Sequence, residues 1–348
     1  MGKVVVFTEP RKLGFEEYED RPLAAKEVRL QTLYSGISAG TELTAYRGSN
    51  PYIYKHWDEK THLFLPAETA SMKYPISGWG YEECGKVVEL GKEVSQVKPG
   101  DIIYGTWGHR THRIVDEEYA SKRVLFANLD PILGIFSQMG AISLNGILDA
   151  AIRISETVAV FGMGAPGQIV AQLAKKSGAR VIGVDLIDMR LEMAQKLGAI
   201  DVAINGSKGG VAEQIKALTD KRGADVSIEA TGFYSALHEA IRSTAYSAKV
   251  VAMGFFQGAG QGLYLGEEFH HNRINVVCSQ IFGVSPELTY RWNVERLVHS
   301  AMRLQSEGVL NLRPIITQVY PFSEAAEAFR LCDYESEKTI QIVLDFSK

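Results

Sequence analysis

Short apolar stretches separated by turn residues fill the first third of the chain, whereas strand-like and helix-like stretches alternate in its middle. In residues 1 to about 127, short runs such as Val4–Phe7 and Gly85–Leu90 are interrupted by Gly and Pro. This pattern is typical of strands in a compact β-barrel-like domain. From Val158 onward, short apolar strands alternate with amphipathic helical segments. Such alternation predicts a parallel sheet with helices on both faces, and therefore an α/β protein.

The C-terminal part of the chain combines a predicted helix with two more strands. Pro286–Leu304 is predicted to be a helix because its apolar residues fall on one stripe. Ile315–Val319 and Ile340–Leu344 have the pattern of strands, so we expect the chain to return to the first domain. The predicted domains are residues 1–127 with 284–348, and residues 128–283.

The most specific motif lies between a predicted strand, Val158–Phe161, and a predicted helix. Gly162, Gly164 and Gly167 have the spacing G-x-G-x-x-G. The first glycine permits a tight turn, the second lets the backbone approach a pyrophosphate, and the third allows close packing of helix and strand. The helix N-terminus adds free N–H groups and a partial positive charge. The motif predicts a dinucleotide site; the alternative is a structural turn in a chain with 33 glycines.

An acidic residue follows this turn at a suitable distance. The predicted strand Arg180–Asp185 ends in Asp185, 18 residues after Gly167. A carboxylate there accepts hydrogen bonds from the adenosine ribose and repels the 2′-phosphate of NADP. NAD is therefore the predicted cofactor.

Composition and charge narrow the class of protein. With 348 residues, 46% hydrophobic and 22% charged, the chain is expected to be globular with two domains. A net charge of −4 without a basic block gives no reason to expect nucleic acid as a partner. The apolar runs are shorter than the roughly 20 residues of a membrane span, so no membrane is expected. Three cysteines without a Cys-x-x-Cys argue against a structural zinc lobe and disulfides, and favour a cytoplasmic location.

The order of these segments resembles the medium-chain dehydrogenase/reductase family over essentially the whole chain. The matching segments are Gly40–Glu42, Gly80–Glu82, Gly85–Gly91, Val97–Asp101, Gly162–Gly167, Arg190–Ala199 and Glu229–Gly232. The resemblance implies a GroES-like β-barrel catalytic domain and a Rossmann doubly wound parallel sheet. It also implies a small-molecule alcohol or ketone as substrate, and a homo-oligomer, either dimer or tetramer. The cofactor-binding residues that it adds to the glycines and Asp185 are Pro166, Gln168, Arg190, Thr231 and Gly232.

The chain departs from the zinc-dependent members of this family at the metal site. Where those enzymes have a Cys ligand and a His ligand, this chain has Ala39 and Tyr81, and Met139 or Gly140 stands near the expected third ligand. A catalytic zinc needs about three protein ligands, and of the familiar residues only Glu82 remains. We therefore expect no metal. The alternative is a substitute ligand set: His56, His62, His109 and Glu82.

Without zinc, a side chain must accept the proton of the alcohol. The predicted catalytic residues are Tyr81, Thr41, Glu82 and His109. Tyr81 replaces a metal ligand, and Thr41 stands where zinc-dependent relatives bind the alcohol. Structural roles are the alternatives: Thr41 caps a helix, Tyr81 fills vacated volume, and Glu82 forms an ion pair. His109 and His112 face opposite sides of an extended strand, so only one of them is expected to line the cleft as a base.

Two further segments have a binding interpretation and a structural one. Phe269–Arg273 resembles a segment of a zinc-lacking branch of the family, with a solvated loop as the alternative. The aromatic insert over residues 50–57 and 61–66 suits stacking on a sugar, or is a packed lid without ligand contact.

These features together predict NAD-dependent oxidation of a secondary alcohol to a ketone by hydride transfer without zinc. The expected substrate is a sugar, a cyclitol or a similar polyol. One alternative is a zinc-free NAD(P)H-dependent reductase of an activated C=C bond (a quinone or enoyl reductase), although Asp185 disfavours the NADPH that most of these use. The other is a protein that binds NAD without turnover.

Overall fold

The computed structural model describes residues 1–66 and 70–347. The strands are β1 (Gly2–Glu9), β2 (Lys12–Tyr18), β3 (Glu27–Ile37), β4 (Lys55–Asp58), β5 (Leu63–Pro66), β6 (Ile76–Ser77), β7 (Glu83–Leu90), β8 (Ile102–Gly105), β9 (His112–Asp116), β10 (Thr157–Phe161), β11 (Arg180–Asp185), β12 (Val202–Asn205), β13 (Ala224–Glu229), β14 (Thr244–Ala252), β15 (Asn275–Cys278), β16 (Ile316–Pro321) and β17 (Gln341–Asp345). The α-helices are α1 (Thr41–Arg47), α2 (Glu117–Ser121), α3 (Phe136–Ala150), α4 (Ala165–Lys176), α5 (Asp188–Lys196), α6 (Val211–Ala217), α7 (Tyr234–Ser243), α8 (Val294–Ser306) and α9 (Ala325–Tyr334). The chain forms two compact units: unit 1 is Met1–Phe136 with Gln318–Lys348, and unit 2 is Ser137–Thr317.

Unit 2 contains a parallel sheet with the strand order β12-β11-β10-β13-β14-β15. This is the order of a doubly wound dinucleotide-binding fold, in which ligands bind beyond the carboxyl ends of the strands where the order reverses. Here the reversal lies at β10, whose five residues are all buried. The predicted Rossmann sheet is confirmed, and its reversal point coincides with the glycine motif.

Unit 2 extends further along the chain than the domain predicted from sequence, which ended at residue 283. Segment 284–317 packs within this unit because Leu297 and Ala301 of α8 are buried, and the side chain of Gln172 accepts a hydrogen bond from Asn311 N at 2.8 Å. The helix also begins later than the predicted Pro286. Asn293 caps α8 by accepting a hydrogen bond from the backbone N–H three residues ahead.

Unit 1 is built around β3, the longest of its strands, which pairs antiparallel with β7, β9 and β17. The register places Ser35 opposite Glu83 and Ile37 opposite Ile342. A second sheet has the order β2-β1-β6. The C-terminal β17 therefore completes the sheet that carries Ser35.

One helical stretch is longer than expected, because the sequence predicted apolar runs too short to span a membrane. Pro131–Ala150 is 20 residues long with a mean hydropathy of 1.4, enough by length and composition to cross a bilayer. It is, however, 72% buried within the protein. Burial of this kind is usual for a core helix, so the stretch gives no support for a membrane span.

Candidate active site

The glycine turn of unit 2 has the geometry that each glycine requires. Gly162 follows β10 with a φ of 94°, a conformation that favours glycine. A Cβ on Gly167 would lie 1.7 Å from the carbonyl oxygen of Gly162, so α4 packs against the turn at a distance that only glycine allows. A Cβ on Gly164 would meet only Arg190 Nη1, at 4.0 Å. The backbone at Gly164 is thus open on the side where a pyrophosphate is expected.

Asp185 and Gln168 hold this turn in place. The Asp185 carboxylate accepts hydrogen bonds from Met163 N at 2.6 Å and Ile187 N at 2.9 Å. The buried Gln168 side chain donates to Met163 O at 3.1 Å and to Arg190 O at 2.8 Å. Gly164, the N-cap residue of α4, has no side-chain cap, and Pro166 lies in the first turn. The helix therefore starts with N–H groups available to an anion.

Thr231 and Gly232 form a second turn at the end of β13, next to the first. A Cβ on Gly162 would lie 2.5 Å from Thr231 Cγ2. The Glu229 carboxylate accepts hydrogen bonds from Thr231 N at 2.7 Å and Gly232 N at 3.2 Å. Burial raises the pKa of Glu229 to about 7, although these donors act in the opposite direction. The structure thus gathers the predicted cofactor residues at one end of the sheet, and the geometry fits a dinucleotide.

In unit 1, three hydroxyl groups meet at the start of α1. Tyr81 Oη lies 2.5 Å from Ser38 Oγ and also forms a hydrogen bond with the Thr41 side chain. Thr41 is the first residue of α1 and Gly40 is the N-cap, so Thr41 does not cap this helix. Burial and the nearby Glu82 raise the pKa of Tyr81. Tyr81 therefore stays protonated and can pass a proton between hydroxyl oxygens.

Glu82 is buried beside this hydroxyl cluster, with an amide rather than a cation as partner. Gln341 Nε2 of β17 donates to Glu82 Oε2 at 3.0 Å. A Cβ on Gly36 would lie 2.3 Å from Glu82 Oε2, so this contact depends on a glycine in β3. Burial, followed by the charges of Glu42 and Glu83, raises the pKa of Glu82 well above its ordinary value. Burial thus favours the neutral form of Glu82, and its recorded partner is an amide, not the cation of an ion pair.

His109 is fully buried, and both of its ring nitrogens have partners. Its Nε2 lies 2.7 Å from Glu42 Oε2, and its Nδ1 lies 2.6 Å from Ser35 Oγ. Ser35 donates to Glu83 Oε1 at 3.1 Å, and Trp107 N donates to Glu83 Oε2 at 2.5 Å. This burial conflicts with the expected role of a base that contacts the substrate. His109 instead links two buried carboxyl groups.

The proton positions in this chain follow from the single hydroxyl proton of Ser35. Because Ser35 donates to Glu83, its oxygen accepts from His109 Nδ1–H, and Glu42 must donate to His109 Nε2. Burial lowers the pKa of His109 to about 4 despite the charge of Glu83. Burial also raises the pKa of Glu83 to about 6 and that of Glu42 well above its ordinary value. At neutral pH, His109 and Glu42 are neutral and Glu83 is ionised.

The remaining candidates lie apart from this cluster. His112 is half-buried in β9, with its Nδ1 3.4 Å from Asp20 Oδ2. The insert forms a β4–β5 hairpin in which the Phe64 ring contacts Trp57, with ring centroids 4.9 Å apart. In unit 2, His271 is exposed and lies within hydrogen-bond distance of the backbone oxygen of Glu267.

Sequence reasoning missed Ser35, Ser38, Glu42, Glu83 and Gln341. Glu42 belongs to a motif that the family resemblance did mark, Gly40–Glu42, and this was a usable signal. The others come from β3, β7 and β17 or the loop after β3, and no local pattern connects them.

Comparison with known proteins places the chain in a family. A family model described as zinc-binding dehydrogenase matches residues 165–297. D-guloside 3-dehydrogenase from Escherichia coli (strain K12) is 30% identical over 352 residues, which cover 99% of this chain and 100% of that protein. The chain belongs to the medium-chain dehydrogenase/reductase family.

A further relative is also a named dehydrogenase, and a solved structure shares the fold. (R,R)-butanediol dehydrogenase from Bacillus subtilis (strain 168) is 27% identical over 334 residues, covering 88% of this chain and 89% of that protein. A short chain alcohol dehydrogenase from E. coli CFT073, solved with NADH, has the same fold, with a TM-score of 0.77, 21% identity and 99% coverage of both chains. The chain is therefore an alcohol dehydrogenase-type oxidoreductase.

Proposed function

We propose that this dehydrogenase uses NAD to oxidise a secondary alcohol of a sugar, cyclitol or similar polyol to a ketone, without a catalytic zinc. The observation that carries the proposal is the Tyr81–Ser38 hydroxyl pair at 2.5 Å, at the position where zinc-dependent relatives have a metal ligand. A pair of hydroxyl groups can move a proton, whereas it is a poor zinc ligand set.

The donor groups around Tyr81 do not fit a zinc ion. Ala39 has no donor atom, both His109 nitrogens are in hydrogen bonds, and Glu82 Oε2 accepts from Gln341. Glu82 Oε1 is left without a partner, but one carboxylate oxygen is fewer than the three or so protein ligands that a catalytic zinc needs. Within residues 1–66 and 70–347, the three ligand atoms that come within 4.8 Å of one another belong to His238, Glu267 and Glu268, in unit 2. No step of the proposed reaction therefore uses a metal.

The hydride and the proton of the alcohol have different acceptors. The glycine turn would hold the pyrophosphate of NAD, and the bound cofactor would supply the acceptor for the hydride of the alcohol carbon. In unit 1, the alcohol proton moves to Tyr81 Oη, Tyr81 gives its own proton to Ser38 Oγ, and Ser38 passes its hydroxyl proton on beyond the pair, so that both oxygens end as neutral hydroxyls. This exchange avoids a free phenolate, which burial makes unfavourable because it raises the pKa of Tyr81. Positioned proton transfer of this kind contributes typically 10²–10⁴-fold to a rate.

The choice of NAD and of a polyol rests on two separate supports. Asp185 ends β11 beside the turn and disfavours a 2′-phosphate. The relative with 30% identity over the whole chain is a D-guloside 3-dehydrogenase, which supports a sugar-like substrate. We also expect the enzyme to be a cytoplasmic homo-oligomer, either dimer or tetramer.

A substrate screen tests this function. The purified protein is incubated with NAD and, separately, a D-guloside, a free hexose, myo-inositol and 2,3-butanediol, and NADH formation is followed by absorbance. Parallel reactions contain NADPH with a quinone or an enone. Turnover of a sugar or cyclitol with NAD is the expected result. Turnover of only the quinone or enone with NADPH would identify the protein as a C=C reductase instead.

A further inference from the structure

Four buried side chains of unit 1 form one continuous hydrogen-bonded chain from α1 to β7. The order is Glu42, His109, Ser35 and Glu83, with successive donor–acceptor distances of 2.7, 2.6 and 3.1 Å. All four are completely buried. His109 contacts its neighbours through two ring nitrogens and Ser35 through one hydroxyl, so each can take a proton from one side and give another to the other side. We call this chain the Glu42–Glu83 relay.

We propose that the Glu42–Glu83 relay carries the proton of the oxidised alcohol away from the Tyr81–Ser38 pair and stores it on Glu83. This inference rests on the proposed function, because the relay needs a substrate that loses a proton. None of the four residues contacts the substrate, so each acts through Tyr81.

The receiving end of the relay is Glu42, which follows Thr41 at the start of α1. Its Oε1 atom is buried and has no hydrogen-bond partner among the described residues, whereas its Oε2 contacts His109. The backbone N–H groups of Ser38 and Tyr81 lie close to the same carboxyl. Glu42 lies close enough to the Tyr81 hydroxyl for its charge to act on it, so Oε1 is the oxygen available to the hydroxyl cluster while Oε2 is bound to His109.

The transfer balances without any added reactant. A proton binds Glu42 Oε1, and the proton on Oε2 moves to His109 Nε2. The Nδ1 proton of His109 moves to Ser35 Oγ, and the original Ser35 proton moves to Glu83 Oε1. One proton has entered, Glu83 is now a neutral acid, and His109 has changed from the Nδ1–H to the Nε2–H tautomer. The Glu42–Glu83 relay returns to its starting state when Glu83 loses its proton and the other protons move back.

The relay can accept a proton only while Glu83 is ionised. The titratable groups that influence Glu83 are Glu42 on α1, His109 and Arg110 on the segment before β9, and the neighbouring Glu82. Burial dominates and raises the pKa of Glu83 to about 6. Above that pH, Glu83 is a carboxylate and can accept a proton from the relay. As the pH falls through about 6, Glu83 becomes protonated and can accept no further proton.

The tautomer of His109 gives a test that needs no substrate. In the cofactor-free protein, ¹⁵N NMR of His109 is expected to show the Nδ1–H tautomer at high pH and the Nε2–H tautomer at low pH, with a midpoint at about 6. The ring stays neutral throughout. Ser35→Ala separates His109 from Glu83, so the tautomer change should disappear. A single tautomer across the titration, or a doubly protonated ring, would overturn the relay.

Turnover of the same variants shows whether the relay serves the reaction. Ser35→Ala and Glu83→Gln should each lower kcat at least about tenfold, with little change in KM, and remove the loss of activity near pH 6. Ser35→Thr keeps a hydroxyl and should stay within about threefold of wild type. The matched control is Thr32→Val, because Thr32 is a second buried hydroxyl on β3 that bonds Trp107 Nε1 and lies outside the relay. The pH profile of kcat in Thr32→Val should match that of wild type, even if the variant is less stable.

The outcomes separate failure of the relay from failure of the proposed function. A tautomer change with unaltered kcat in Ser35→Ala and Glu83→Gln would mean that the alcohol proton takes another route, and the proposal would be wrong. If Thr32→Val and Ser35→Ala lower kcat equally, lost stability would explain both results, and this too would refute the relay. If wild type oxidises no alcohol, the proposed function fails and the relay has no reaction to serve, whatever His109 does.

Discussion

The preference for NAD over NADP depends on one carboxylate, and Asp185→Asn tests it. Asp185 is only 9% exposed and is fixed by Met163 N and Ile187 N, so it cannot turn away from a 2′-phosphate. Two unit charges about 5 Å apart repel by about 3 kcal/mol at an effective dielectric constant of about 20. Arg190, whose guanidinium lies near Gly164, offsets part of this repulsion.

We expect the remaining preference to be at least about tenfold, or about 1.4 kcal/mol. The measurement is the ratio of the NADP and NAD dissociation constants in wild type and in Asp185→Asn. Asparagine keeps the shape but can accept only one of the two backbone hydrogen bonds, so the turn is weakened for both cofactors. That common loss cancels in the ratio, which should fall at least about tenfold because only the charge differs for the 2′-phosphate.

Asp201→Asn is the matched control. Asp201 also accepts a backbone hydrogen bond, from Val181 N at 2.8 Å, but at the opposite end of β11. It should leave the ratio within about twofold of wild type, although it removes the same charge. Equal affinities for NAD and NADP in wild type, or an unchanged ratio in Asp185→Asn, would refute the role given to this carboxylate.

Three further predictions concern stability and metal content. Gly36→Ala should lower the free energy of unfolding by about 1–3 kcal/mol, because its Cβ would displace Glu82. Gly283→Ala, with no atom within 4 Å of its Cβ, should change it by less than about 0.5 kcal/mol, and similar losses in both would contradict the packing argument. The pKa of Glu229 rises from an ordinary 4.5 to about 7, so its stabilising contribution is complete below 4.5 and is lost as the pH rises through 7. Denaturant titrations from pH 4.5 to above 7 should show that the free energy of unfolding falls by up to about 3 kcal/mol more in wild type than in Glu229→Gln. The same pH dependence in both proteins would contradict the raised pKa of Glu229. Metal analysis should find well below one zinc per chain and activity unaffected by a chelator; stoichiometric zinc with chelator-sensitive activity would restore a metal mechanism.

The dinucleotide turn was predictable because its chemistry is local. The glycine spacing, the strand before it and Asp185 at the end of the next strand all lie within 24 residues of Gly162. The backbone requirements of Gly162 and Gly167 depend on the turn itself, so the sequence pattern carries them directly.

The proton-transfer cluster could be predicted only in part. Tyr81 and Thr41 followed from the family's metal site, but Glu82 meets Gln341 from 259 positions away in the chain. A Glu in a strand usually indicates an exposed position, so nothing in the sequence marks Glu83 as a buried base. The same problem affected His109, because a histidine near a strand gives no sign of whether its ring contacts substrate or other buried side chains.

The most direct test of the central claim is a single-turnover measurement of NADH formation by metal-free enzyme, with the best substrate of the screen, in wild type and Tyr81→Phe. The variant removes only the hydroxyl and keeps the ring. If Tyr81 and Ser38 receive the alcohol proton, the rate should fall at least about 100-fold while the NAD dissociation constant is unchanged. A rate within about threefold of wild type, or a wild-type enzyme that is active only after zinc is added, would contradict the account.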